Sequence, residues 1–282
     1  MMIKPVLEPG NQRPLASEEK QRARDQWGED PCGAVHGREH EFGTREFFET
    51  VEQHRYHDYA PWMPDVMGFN QFAGGRLLEI GCGMGTDLLQ FARGGAICTG
   101  ADLTPRSIEI TRHRFAVYDE RGSFLITDGE RLPFAEESFD VVYSNGVLHH
   151  TPDTARAISE IHRVLKPDGV AKVMLYYKHS VNYWIELMLR RGVLGGELFR
   201  GRSSQEIMSR WVEYSEHGGW PLVKVYSRGE ARKLFGDFKV VEFQVRQLTR
   251  SDLRFIGRII PQAFMELLER YVGWNLIITA RK

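Results

Sequence analysis

Three glycines at alternate positions, Gly81, Gly83 and Gly85, stand directly after the apolar run Arg76-Leu77-Leu78-Glu79-Ile80. A glycine has no Cβ and tolerates positive φ, so such a turn can bring the backbone against a nucleoside group. The dinucleotide fingerprint G-x-G-x-x-G places its third glycine one residue later, where this chain has Thr86, which argues against a nicotinamide dinucleotide. A tight strand-to-helix turn with no ligand is the competing reading of the glycines alone. Two carboxylates narrow it. Glu79 stands just before the turn, and Asp102 ends the next apolar run in Thr99-Gly100-Ala101-Asp102-Leu103, where a carboxylate can accept both hydrogen bonds of a ribose diol. A helix cap is the other role open to Asp102. Further on, Val147-Leu148-His149-His150-Thr151 sets two imidazoles just past another apolar run, and histidine exchanges protons near neutral pH. His149 and His150 are candidate bases, with loop shaping and helix capping as the alternative.

The elements that must position these residues follow from apolar runs and punctuation. Arg76–Ile80 reads as a strand, the glycines as a turn and Asp87–Arg93 as a helix. Ala96–Ala101 is a second strand, Pro105–Asp119 a helix, Ser123–Thr127 a third strand and Phe139–Ser144 a fourth. Helix Thr154–Leu165 stops at Lys166-Pro167-Asp168-Gly169, which turns into strand Val170–Tyr177. Strands alternating with helices imply a doubly wound α/β sheet, mostly parallel. The alternation breaks over residues 178 to about 225, which carry helical signals, and resumes with helix Ser227–Phe235 and strands Lys239–Val245 and Trp274–Ala280. Seven strands result. Ligands of open α/β sheets bind at the strand ends, so a helical insertion after the fifth strand is expected to cover that edge.

Ahead of the core, residues 1–24 are polar and charged and are expected to be a tail. Residues 25–72, from Trp27 to Phe72, hold loop signals and helical stretches such as Arg45–Tyr59, and are expected to form a lid. The core is then 73–282, with its cap at 178–225. The 282 residues suffice for one catalytic domain with decorations. Lys and Arg number 37 against 38 Asp and Glu, too balanced for a nucleic-acid or anionic-membrane partner. Three cysteines at unrelated spacings imply no disulfide framework and a reducing, cytoplasmic compartment. The N-terminus lacks the apolar core of a signal peptide, and no run is long enough to span a bilayer.

Four segments together, LLEIGCGMGTDLLQFA, TGADLTPRSIE, TDGERLPFAEESFDVVYSNGVLHHTPD and EIHRVLKPDG, resemble the class I S-adenosylmethionine-dependent methyltransferases, a Rossmann-like family. The resemblance runs from about Arg76 to Val173 and is greatest to the branch of ubiquinone and menaquinone biosynthesis and of natural-product enzymes. It implies methyl transfer from S-adenosylmethionine to a small-molecule acceptor, leaving S-adenosylhomocysteine. Glu79, Gly81, Cys82, Gly83 and Gly85 fall on the motif that wraps the methionyl part, while Asp102 falls on the ribose ligand and Leu103 on an apolar contact to adenine. Asp128, Gly129 and Glu130 fall on the loop whose acidic residue meets the adenine amine, although Asp128 also reads as an ordinary turn aspartate. Asn145 and Gly146 fall beside the methionyl carboxylate and sulfonium. Thr86 and Asp87 open the first helix, whose free N–H groups suit the methionyl carboxylate. One or both of His149 and His150 fall beside the acceptor.

Tyr176, Tyr177, Lys178 and His179 end the fifth strand and are second-choice acceptor contacts, Tyr177 and His179 among them; for the tyrosines, packing under the insertion is the favoured alternative. Trp27, Tyr56, Tyr59, Trp62, Tyr183, Trp184, Trp211, Tyr214 and Trp220 form an aromatic supply suited to closing over an apolar acceptor, or simply to packing helices together. Trp27 and above all Tyr56 are expected in a lid that orders only on ligand binding. His36, His40, His54 and His57 have helical spacing but no thiolate partners, so no metal is expected. The acceptor class expected is a small molecule, and the chain a monomer or homodimer. The alternatives are a nucleic-acid or protein methyltransferase, a nicotinamide-dependent oxidoreductase, or a non-catalytic S-adenosylmethionine-binding protein.

Overall fold

A computed structural model describes residues 17–29, 31–212 and 221–282. In chain order it has α1 (Glu18–Glu29), α2 (Arg45–Gln53) running on in wider turns to Tyr59, β1 (Arg76–Ile80), α3 (Thr86–Arg93), β2 (Ile97–Asp102), α4 (Pro105–Val117), β3 (Gly122–Ile126) and β4 (Phe139–Asn145). There follow α5 (Thr154–Val164), β5 (Leu165–Tyr176), α6 (Ser204–Trp211), α7 (Arg228–Leu234), β6 (Val240–Arg246), α8 (Arg254–Gly257), α9 (Gln262–Val272) and β7 (Asn275–Arg281). Local chemistry sets the boundaries. Thr104 caps α4 ahead of Pro105, Asp153 caps α5, and Ser203 and Ser227 form reciprocal capping boxes with Glu206 and Glu230.

The seven strands make one sheet in the order β3-β2-β1-β4-β5-β7-β6, all parallel except β7, which runs against both its neighbours. This is the doubly wound sheet expected. The strand order reverses between β1 and β4, so the crevice beyond their C-terminal ends is where an open sheet of this kind holds a ligand. Two apolar layers fill the faces. On one, Leu77, Leu88, Phe91 and Tyr143 pack with Met63 and Met67 from the N-terminal segment; on the other, Val142, Ile158, Ile161, Leu175 and Phe235 pack under α5 and α7.

The expected unpinned tail ends earlier than residue 24. Residues 1–16 lie outside the described residues, but α1 begins at Glu18, and Lys20 is 6% exposed because its ammonium is held by two carboxylates of the core. The insertion also differs from expectation. Helical residues Asn182–Leu194 and α6 build a small core of Tyr183, Leu187, Ile207, Met208, Val223 and Trp274 beside the β5–β7 end of the sheet, rather than a roof over the strand ends. Tyr214 and Trp220 lie outside the described residues. No helix among the described residues is long and apolar enough to cross a membrane.

Candidate active site

A cavity of about 440 Å³ runs along the C-terminal strand ends. Its floor takes Glu79 and Ile80 from β1, Ala101 and Asp102 from β2, Thr127 and Asp128 after β3, Asn145 from β4, Met174 and Tyr176 from β5, and Asn275 at the start of β7. Lys20, Ala23 and Trp27 of α1, with His54, Arg55, Tyr59 and Met63, roof it. The roof is therefore the N-terminal segment.

The three glycines have different surroundings. A Cβ on Gly81 would strike the Val147 side chain at 2.2 Å, and one on Gly85 would meet Thr111 at 2.8 Å. Gly83, at φ +52°, has nothing within 4 Å of that position, so the open backbone of the turn is at Gly83. Gly81, Cys82 and Gly83 line the cavity, whereas Gly85 is turned toward α4 and does not.

Asp102 is held in place by the turn it serves. Its Oδ2 accepts from Gly83 N at 2.9 Å, and its Oδ1 accepts from Thr104 N at 2.9 Å and Thr104 Oγ1 at 3.0 Å. A carboxylate offers about four lone-pair directions, so one remains for a ligand hydroxyl where two were expected. Burial raises the Asp102 pKa above its ordinary value against those hydrogen bonds. Leu103 also lines the cavity.

Asp87 faces the cavity with no lone pair to offer. Arg55 donates from Nε to Oδ1 and from Nη2 to Oδ2, both at 2.6 Å, while Tyr56 donates to Oδ1 at 2.6 Å and Tyr143 to Oδ2 at 2.8 Å. Burial opposes the charge, and Arg55 with the two phenols outweighs it and holds the carboxyl below its usual value. The Asp87 side chain is thus a structural anchor, and only the backbone N–H groups at the start of α3 are left for the expected ligand contact. Tyr56 is corrected with it: the ring is buried against Phe69, does not line the cavity and ties α2 to α3. Arg114, fully buried, adds bonds to Thr86 Oγ1 at 2.7 Å and Glu52 at 3.2 Å, so the Arg45–Tyr59 part of the expected lid is packed into the core.

After β3, Asp128 Oδ2 accepts from Lys20 Nζ at 2.5 Å and Oδ1 from Glu130 N at 3.0 Å. Glu130 does not line the cavity; it joins Lys20, Thr151 Oγ1 and, at 2.7 Å, Asp153 N. Burial works against the Lys20 charge, and the two carboxylates overcome it and raise its pKa. Gly129 lines the cavity beside Asp128, and Asn145 and Gly146 line it at the end of β4. Glu79 Oε2 and Asn145 Oδ1 are buried without a hydrogen-bond partner, and burial, then Asp87, pushes the Glu79 pKa well up.

The two histidines part company. His150 lines the cavity, with its Nδ1 2.7 Å from Leu222 O. A carbonyl oxygen only accepts, so Nδ1 carries the proton and Nε2 the basic lone pair. His149 does not reach the cavity. It is fully buried, tilted against the Tyr176 ring with centroids 3.8 Å apart, with no partner for either nitrogen, and burial, then neighbouring His150, drives its pKa well below 6.5. Strand alternation corrects the tyrosine: Met174 and Tyr176 share the cavity face of β5, while Tyr177 points to the other face, into the α5–α7 core. His179 is exposed beside Tyr177 and is outside the cavity. Trp27 lines the cavity, its ring centroid 5.9 Å from that of His150. The sequence reading missed Lys20, Arg55 and Asn275, none of which lies in a recognisable motif. His36 and His54 stack at 3.5 Å near the cavity, and among the described residues no three side chains are arranged to hold a metal.

Residues 78–173 match the model of the methyltransferase domain family. The chain is 38% identical over 100 residues to 27-O-demethylrifamycin SV methyltransferase of Amycolatopsis mediterranei, covering 34% of this chain and 37% of that one. It is 36% identical over 97 residues to demethylmenaquinone methyltransferase of Clavibacter sepedonicus, covering 34% and 39%. The chain thus spans under two fifths of the length of these curated relatives. A methyltransferase structure from Methanosarcina mazei shares the fold at TM-score 0.55 and 20% identity, over 78% of this chain and 97% of that one.

Proposed function

From residues 78–173 as a class I S-adenosylmethionine-dependent methyltransferase domain, we propose that the protein transfers a methyl group from S-adenosylmethionine to a small organic acceptor. The observation that carries this is the cavity itself: nucleoside-type groups line one end, aromatic and neutral polar groups the other, and orphaned acceptors lie between. The relatives named for methylating a rifamycin and a demethylmenaquinone support a small organic acceptor.

The residues fit the cofactor on three counts. Glu79 Oε2 and Asn145 Oδ1, buried and unpartnered, suit the cationic amino end of a methionyl group, since a buried acceptor without a donor is costly until one arrives. The open face of Gly83 suits the nucleoside, with Asp102 supplying its remaining lone pair to the ribose. Asp128 suits the adenine amine, sharing its oxygens with Lys20 and Glu130 N. When bound, S-adenosylmethionine supplies a methyl carbon activated by positive sulfur.

What remains for the chain is alignment, exclusion of water and removal of a proton. Roof residues Trp27, Tyr59 and Met63 exclude water. His150 takes the acceptor proton at Nε2, its imidazole aimed by the bond from Nδ1 to Leu222 O. Incubation with methyl-labelled S-adenosylmethionine and separate pools of neutral metabolites, RNA and protein tests the proposal. Label in the small-molecule pool alone is the expected result; label in RNA or protein alone contradicts it.

A further inference from the structure

At the far end of the cavity from Asp102 lies a side chain with unmet hydrogen-bonding capacity and no role so far. Asn275 opens β7, pairs directly with Tyr176 of β5, and is 2% exposed. Residues directly opposite on antiparallel strands share a face, so Asn275 joins Tyr176 on the cavity side of the sheet, and both line the cavity. Its Oδ1 is buried with no hydrogen-bond partner. From β2 to β7 there are four strand spacings of about 4.8 Å, so Asn275 stands roughly 19 Å from the strand that carries Asp102. That separation places Asn275 beyond the nucleoside end, on the side of His150 and Tyr176.

The surroundings define what could satisfy it. His150 and Tyr176 present rings to this end of the cavity, backed by His149 and Trp274 in a continuous cluster with successive ring centroids 4.2, 3.8 and 4.4 Å apart. Met63 and Met174 supply adaptable apolar surface. No Asp, Glu, Lys or Arg stands among these residues, and the nearby cavity cation, Arg55, is paired through its Nε and Nη2 with the Asp87 carboxylate, which balances its charge. A charged acceptor would be desolvated here without a counter-charge, whereas a neutral one with a flat or apolar body would meet matching surface.

We propose that Asn275 is the residue that recognises the acceptor, and that the acceptor is an uncharged, largely apolar molecule held by a hydroxyl group at the Asn275 amide. This rests on the methyltransferase reading above and adds the class of substrate to it. An amide both donates and accepts, so it serves either partner role of a hydroxyl, which an apolar analogue cannot fill. A site built on such a bond rejects the analogue lacking the hydroxyl, because the buried amide is left unpaired.

The test is calorimetric binding to the protein loaded with S-adenosylhomocysteine, using 2-naphthol, naphthalene and 2-naphthoate as probes. Wild type is expected to bind naphthol at least about tenfold more tightly than naphthalene, with naphthoate weakest. In Asn275→Leu the naphthol preference should fall to near unity while S-adenosylhomocysteine affinity stays unchanged. Should the leucine variant fail to fold, Asn275→Ala carries the same expectation, and the wild-type ranking is decisive in its own right. Tightest binding of naphthoate, no hydroxyl preference in wild type, or an undiminished preference in the variants overturns the proposal. Failure of wild type to bind S-adenosylhomocysteine contradicts instead the methyltransferase reading on which it rests.

Discussion

Arg55 grips Asp87 through two hydrogen bonds of 2.6 Å, one to each carboxylate oxygen, at the first turn of the helix that follows the glycine turn. Asp87 is 3% exposed, and its remaining lone pairs are taken by Tyr56 and Tyr143. One carboxylate thereby fastens the N-terminal segment, the glycine turn and β4 together. Asp87→Ala is expected to leave a partly buried guanidinium and two buried phenols without their acceptor and to destabilise the fold by about 2–4 kcal/mol, measured by urea unfolding. A loss under about 1 kcal/mol would remove Asp87 from the role of anchor.

The same contact divides the roof into a fixed and a detachable part. The α2 segment is anchored through Arg55, Tyr56 and Arg114, whereas α1 is tied to the loop after β3 through Lys20. Hydrogen exchange should therefore show residues 45–59 protected without ligand. In Lys20→Ala, protection should fall over 18–29 and stay unchanged over 45–59. Loss of protection over both segments together would contradict the division.

His149 should make stability depend on pH. Its folded-state pKa is depressed by burial, then by His150, so in the window between that value and the unfolded value of about 6.5 the unfolded chain binds more protons. The stabilisation is complete above about pH 6.5 and is lost as pH falls through the folded value. The melting temperature of wild type is expected to drop from pH 7.5 toward pH 5, and His149→Phe, which fills similar volume with no ionisable group, should flatten part of that slope. Parallel curves for the two proteins would contradict this account of the buried imidazole.

His150 should separate from His149 in kinetics. With an acceptor in hand, His150→Gln is expected to lower kcat by about 100-fold or more while leaving S-adenosylhomocysteine affinity unchanged, because its ring faces the acceptor end of the cavity. Equal turnover would leave it a loop-shaping residue that packs against Trp27.

How much of this was legible in the sequence depended on the range of the signal. Gly81, Gly83 and Asp102 sit within short strand-turn patterns, and the parallel sheet brings adjacent strand ends together, so the end of the cavity proposed for the nucleoside could be assembled directly from sequence. The acceptor end required a strand-face parity: Tyr176 and Tyr177 look equivalent in sequence, but alternation sends only Tyr176 to the cavity. Lys20 reads as part of a charged tail because its partners, Asp128 and Glu130, are more than a hundred residues away. The anchoring role of the Asp87 side chain was not legible, because nothing local reveals that Arg55, Tyr56 and Tyr143 saturate it. Asn275 stands at the start of the last strand, and only the antiparallel pairing with β5 carries it to the site.

The central claim, an S-adenosyl cofactor held across the strand ends, is tested most directly by calorimetric titration of wild type and Asp102→Asn with S-adenosylhomocysteine and with NAD. The asparagine is the informative substitution because it keeps the side-chain volume and one oxygen, enough for the Thr104 pair, while removing the charge and the acceptor that faces Gly83 N. The account predicts one saturable S-adenosylhomocysteine site per chain, no NAD binding, and an affinity about 10- to 100-fold lower in the variant, the worth of one charge-assisted hydrogen bond. Binding of NAD in place of S-adenosylhomocysteine, or equal affinity in the two proteins, would contradict it.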